Sequence, residues 1–157
     1  MIGNLDANTA PSYVADPTTG RLVIAGQEMG DTGWRNVSAD ALNGWVPNGT
    51  FPMVIKRLGK MVLMRATYLE STGATSSTLY TAPLGFRPQP NYWNNLGIFL
   101  RTDGVVCTAN TSGEANVILY HSGQMASSSQ WFLSIDWPTN DPWPTSLPGT
   151  IFTSPGQ

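Results

Sequence analysis

Met53-Val54-Ile55-Lys56-Arg57-Leu58-Gly59-Lys60-Met61-Val62-Leu63-Met64-Arg65-Ala66-Thr67-Tyr68 consists of two β-rich runs on either side of a glycine turn. Such a stretch reads as an antiparallel hairpin, with Leu58-Gly59-Lys60 reversing the chain. In the second run, apolar side chains fall on both faces of the pleat. A strand patterned this way is covered on both sides, within a sandwich or against a neighbouring subunit. Further runs of the same kind are Arg21–Ala25, a short one near Trp34–Val37, Thr78–Tyr80, Asn91–Arg101, Val105–Ala109, Asn116–Tyr120 and Gln130–Ile135. Asp103-Gly104 between two of them is a strong hairpin signal. About eight strands at roughly ten-residue spacing predict an all-β fold, an antiparallel β-sandwich or a jelly-roll-like barrel. No heptad or amphipathic helix is visible. Ser38–Leu42 suits one helical turn, with Ser38 as its cap and Gly44 as its stop. Residues 1–20, polar and broken by Pro11 and Pro17, read as a connector; residues 21–157 read as the β domain.

A second stretch, Ser134-Ile135-Asp136-Trp137-Pro138-Thr139-Asn140-Asp141-Pro142-Trp143-Pro144, packs two tryptophans, three prolines and two aspartates together. Proline fixes φ and removes backbone donors, so this run is expected as a stiff extended loop, not a central strand. Such loops hold indoles in set positions beside hydrogen-bond acceptors, which suits both sugars and partner proteins.

Composition narrows the function classes. Charged residues make up 11% of the 157 residues, well below the roughly 25% typical of soluble domains. With many Ser, Thr and Asn, the surface is expected to be neutral and polar, part of it buried against identical subunits. The net charge is −2 and the only lysines are Lys56 and Lys60. Binding to nucleic acid or to an anionic membrane needs clustered cations, so neither partner is expected. No apolar run reaches the roughly 20 residues that span a bilayer, and Met1–Asp6 lacks the start of a signal peptide. Cys107 is the only cysteine, which excludes an intrachain disulfide, and reads as a small buried hydrophobe. A thiol nucleophile would need His121, the only histidine, beside it.

Three groups of side chains qualify as ligand contacts. Trp137 with Asp136, and Trp143 with Asp141, offer an indole face for the C–H face of a pyranose and a carboxylate for its hydroxyls. The competing role for these indoles is to pack the loop onto the sheet, with Asp141 capping the Pro142 turn. Tyr92 and Trp93, set among amides, point to opposite faces of a strand, so one is exposed or at a subunit seam. Tyr120, His121 and Trp131 flank the polar loop Ser122–Ser129, and loops on rigid scaffolds carry binding residues. Catalysis is not expected. Asp136 and Asp141 are the nearest approach to a glycosidase pair but lie in no catalytic motif. There is no G-x-S-x-G elbow. Asp136, Asn140 and Asp141 lack EF-hand spacing, and no cofactor or metal is expected.

Four segments occur in an order that resembles the C-terminal domain of phage tail fibre or minor tail proteins, especially of phages that infect actinobacteria. Gly30-Asp31-Thr32-Gly33-Trp34-Arg35-Asn36-Val37 is similar to the "D-T-G-W-R-D-V" opening of such domains. Lys56-Arg57-Leu58-Gly59-Lys60-Met61-Val62 is like their "R-x-G-x-x-V" turn, and Leu84-Gly85-Phe86-Arg87-Pro88 is like "P-x-G-F-R-P". The run from Trp137 to Trp143 is similar to their "W-P-T-x-D-P-W-P" ending. The matches span about residues 30 to 149. The resemblance implies a homotrimeric β domain at the virion tail tip that contacts other tail proteins and binds a host cell-surface saccharide without chemistry. It carries over no binding residue, and its motifs look like determinants of fold and assembly. Contacts are therefore expected between strands: Tyr92 and Trp93, then Tyr120 and His121 with Trp131, then Asp136 and Trp137. The rival functions are a structural fibre cap and a cell-wall glycoside hydrolase.

Overall fold

The computed structural model describes residues 13–71, 76–89, 96–102, 106–112, 116–121 and 130–153. Its strands are β1 (Tyr13–Asp16), β2 (Arg21–Ile24), β3 (Gln27–Glu28), β4 (Arg35–Asn36), β5 (Trp45–Val46), β6 (Val54–Leu58) and β7 (Met61–Ser71). They continue with β8 (Ser76–Thr81), β9 (Gly97–Leu100), β10 (Val106–Ser112), β11 (Asn116–His121), β12 (Trp131–Pro138) and β13 (Thr150–Ile151). The described residues hold no α-helix, and no helix long and apolar enough to cross a membrane. The all-β expectation holds, but the barrel alternative does not. The strands form three open antiparallel sheets: β1-β2-β3, β8-β11-β10-β9 and a larger sheet in the order β12-β7-β6-β4-β13, with β5 paired to β7.

The 53–68 hairpin lies at the centre of the large sheet. Leu58 pairs with Met61 across the turn, where Gly59 adopts φ 56°, a left-handed conformation that costs glycine little. Val62, Met64 and Ala66 of β7 face inward and are buried, as are Leu133, Ile135 and Trp137 of β12. They share one core with Leu79 and Tyr80 of β8, Ala109 of β10 and Val117 of β11. The large and the four-stranded sheets thus pack on a common interior. Each fully buried aliphatic side chain there contributes roughly 1.5–3 kcal/mol. Burial of the inward faces is what holds the two sheets together. Trp45 and Trp131 meet edge to face inside this core, with centroids 4.9 Å apart.

Several local expectations change. Residues 13–16, placed in the connector, form β1 and pair with β2. The run from Ser134 to Pro144 is not all loop. Its first part belongs to β12, which hydrogen-bonds to β7 at one end of the large sheet and stops at Pro138. That position respects the missing proline donor. Ser38–Asp40 forms a single 3-10 turn with Val37 at the N-cap. Ser38 does not cap it; its Oγ accepts the Met53 N–H instead. Among the described residues the outward face of β7 is only partly covered. Met61 there is 38% exposed, while Leu63, Arg65 and Thr67 are half-buried.

Candidate functional site

Arg57, the 84–88 segment and the 137–144 run converge on one interlocked structure. Arg57 comes from β6 on the inward side and is 1% exposed. Its Nε donates to the Gly59 carbonyl at 2.8 Å and its Nη1 to those of Gly85 and Pro142 at 2.6 and 2.9 Å. Its Nη2 donates to the Asp141 carbonyl at 3.1 Å. The guanidinium lies 4.7 Å from the centroid of the Trp143 ring. Burial lowers its pKa, and the fields of Glu28 and Asp141 oppose that shift; an arginine remains charged regardless. Asp141 answers in the reverse direction. Its carboxylate accepts the Gly85 N–H at 2.7 Å, the Arg87 N–H at 3.2 Å and both arms of the Arg87 side chain at 3.0 Å. Burial alone would raise the Asp141 pKa, but Arg87 and the two amides outweigh it and hold the carboxyl below its ordinary value.

Trp137 is fully buried, and its Nε1 donates to the Phe86 carbonyl at 2.8 Å. Trp143 reaches the Thr19 carbonyl. Gly85, at φ 97°, lies so close to Pro144 that a Cβ there would come within 2.7 Å. Both roles considered for this run are thereby separated. Trp137, Trp143 and Asp141 fasten the loop, and neither indole has a face open to a sugar. Asp141 does not cap its own turn but reaches the 85–87 segment. A lowered pKa is also opposite to what a glycosidase acid needs. Of the four candidate contacts in this run only Asp136 is exposed, on the outward face of β12.

The other expected contacts divide. Trp131 is fully buried and packs on Trp45, so it does not line the outer surface. Tyr92 and Trp93 lie outside the described residues. Tyr120 and His121 belong to β11, where the register places Tyr120 opposite Thr108 and His121 opposite Cys107. Among the described residues no three metal-ligating side chains gather.

The outward face of the large sheet carries features that motif reading missed. Register aligns Val54 with Arg65 and Ser134, and Lys56 with Leu63 and Asp136. At one end, Leu133 pairs with Ala66 and Trp131 with Leu69, so Thr67 and Tyr68 together oppose Phe132. This is a β-bulge, with two residues set against one. Tyr68 adopts φ 56°, which costs a bulky side chain on the order of 1–3 kcal/mol and draws notice to its role. The bulge holds the Tyr68 ring 5.0 Å from Phe132 and 5.3 Å from Phe51. Phe51 is 48% and Phe132 43% exposed. Beside this trio runs a groove of about 250 Å³ lined by Phe51, Pro52, Val54, Arg65, Thr67 and Phe152.

A larger, shallower concavity lies between Asp40, Leu42, Pro83 and Pro148, but its Tyr80 ring is buried and offers no stacking face. Comparison with protein-family models, curated proteins and solved structures found no match to this chain.

Proposed function

We propose that this chain is a receptor-binding domain of a phage tail tip that attaches noncovalently, as a homotrimer, to a host cell-wall saccharide. The observation that carries the binding role is the trio of exposed Phe51 and Phe132 with half-buried Tyr68 between them, fixed on a sheet and flanked by a groove. Aromatic faces held rigid beside polar groups are the usual means of gripping a pyranose. Asp136 lies four residues along β12 from Phe132 on the same face. At about 3.3 Å per residue the two are roughly 13 Å apart, enough for more than one sugar ring to bridge. Three such faces in one trimer would convert weak contacts into firm attachment if their spacing suits the surface. The interlocked Arg57, Arg87 and Asp141 supply rigidity, in keeping with the resemblance, whose motifs act as fold determinants.

A second reading, a structural tail component that binds no host, is favoured by the apolar side chains on the surface. Leu84 is 58% and Ile151 74% exposed, which suits burial against neighbouring subunits. A glycan array probed with the wild-type chain, Phe51→Ala and Phe132→Ala separates the two. The attachment reading expects a saccharide signal that each variant weakens by roughly 3- to 10-fold. A blank array, together with no competition against phage adsorption, favours the structural role. Release of reducing sugar from cell walls would point to the hydrolase.

A further inference from the structure

We infer that the groove beside the trio selects a saccharide bearing a carboxylate, and that Arg65 is the residue that reads it. The inference rests on the saccharide-binding reading and names the ligand class. Arg65 lines the groove with Phe51, Pro52 and Thr67. One of its nitrogens, Nη1, donates to the Met64 and Ile135 carbonyls, both at 2.9 Å. These bonds pin the guanidinium against the sheet. Among the described residues no carboxylate stands within ion-pair distance of Arg65, and its Nε and Nη2 have no hydrogen-bond partner. The other two arginines of the large sheet differ: Arg57 is saturated by carbonyls and Arg35 is bound to the Pro148 and Gly149 carbonyls.

Nε and Nη2 form one edge of the planar guanidinium, with two parallel N–H groups. That edge matches the two oxygens of a carboxylate. A half-buried cation with this edge unspent is complementary to an anion and poorly served by a hydroxyl. Of the remaining lining, Phe51, Pro52, Val54 and Phe152 are apolar and suit the C–H face of a ring, while Thr50 and Thr67 add hydroxyls. The volume of about 250 Å³ falls below the roughly 300 Å³ at which ligand pockets usually begin. It admits one ring or one chain end. The occupant that meets these terms is a terminal uronic-acid-like residue, with its ring on Phe51 and its carboxylate on Arg65.

The test uses the full chain and two matched pairs of probes, methyl glucuronide against methyl glucoside and methyl galacturonide against methyl galactoside. Affinity is read by ligand-observed NMR titration. Within at least one pair the acid is expected to bind roughly 10-fold more tightly, and that advantage to shrink as salt is raised. Arg65→Gln abolishes the advantage while weak binding of the neutral glycoside persists; Arg65→Lys restores it only in part. Phe51→Ala weakens acid and neutral sugar alike. Equal binding within both pairs overturns the carboxylate assignment and leaves the saccharide reading standing, as does tighter binding of glucose 6-phosphate than of either acid. No binding of any glycoside removes both. The comparison within pairs needs only the wild-type chain, so an Arg65 variant that fails to fold does not shelter the inference.

Discussion

Arg57 is a buried cation with no carboxylate in direct contact. Four backbone carbonyls and one indole face surround it, which satisfies the guanidinium and fixes the three segments that supply the oxygens. Removing it leaves those carbonyls without donors in a dry site, so Arg57→Ala should cost at least about 3 kcal/mol. Arg57→Lys should recover only part of that, since an ammonium cannot span the same acceptors. Denaturant melts check both; an Arg57→Ala protein as stable as wild type would refute the described role. Asp141 makes a prediction with a definite sign. Its folded pKa lies below the ordinary 3.8, so its contribution is full above that value and fades as pH falls through the folded pKa. Asp141→Asn should therefore be less stable than wild type at neutral pH, and the gap should narrow on acidification below about pH 4. Thermal unfolding at a series of pH values reads this out.

β7 carries the bulge that assembles the aromatic trio. Both bulge residues, Thr67 and Tyr68, oppose Phe132, while Ala66 and Leu69 on either side are buried. Deleting Tyr68 would therefore keep the alternation on both sides and leave Leu69 facing inward. Deleting Met64 instead would swing Arg65 toward the core and Ala66 outward, because a one-residue slip exchanges faces. The Tyr68 deletion is expected to fold and to lose the proposed saccharide binding; the Met64 deletion is expected not to fold. Circular dichroism with the NMR titration distinguishes them. The same strand shows what could be read beforehand. Its hairpin with β6 was legible because a glycine turn between β-branched and apolar runs leaves few alternatives. The bulge was not, since the extra residue is defined only by the partner strand. β1, β3, β5 and β13 escaped for a related reason: strands of two to four residues have no periodicity of their own and exist through pairing. Phe132 could have been found. It alternates with Trp131 and Leu133, so when those two are inside it must be outside. Phe51 sits in an irregular Gly-Thr-Phe-Pro segment and gave no such signal.

The protein as a body is poor in charge and rich in exposed apolar groups: Ile151, Leu84, Met29 and Leu58 all stand about half exposed or more. Scattered single side chains of this kind are ordinary, but with 11% charged residues little electrostatic repulsion keeps copies apart. The proposed trimer predicts a particle of three 16.9 kDa chains in light scattering at micromolar concentration. A single chain at that concentration would count against it. Leu58→Lys and Ile151→Lys, both at exposed positions, should leave the unfolding transition nearly unchanged, and at least one should loosen the assembly. Composition predicted a neutral, polar surface; its low charge was legible there, because Lys and Glu are scarce, but its exposed apolar side chains were not. Which copy covers which patch depends on shape, which composition does not encode.

The Arg57 contacts also bear on the order in which the nascent polypeptide can finish folding. Two of the oxygens that neutralise this cation arrive 84 and 85 residues later in the chain. At synthesis rates of about 5–20 residues per second, the first hairpin waits roughly 4–17 s for them. Until then a guanidinium destined for the interior has no reason to leave water, which keeps the half-made domain from closing prematurely. A product ending at Asn140 should accordingly be cut rapidly by protease, whereas one ending at Thr153 should resist.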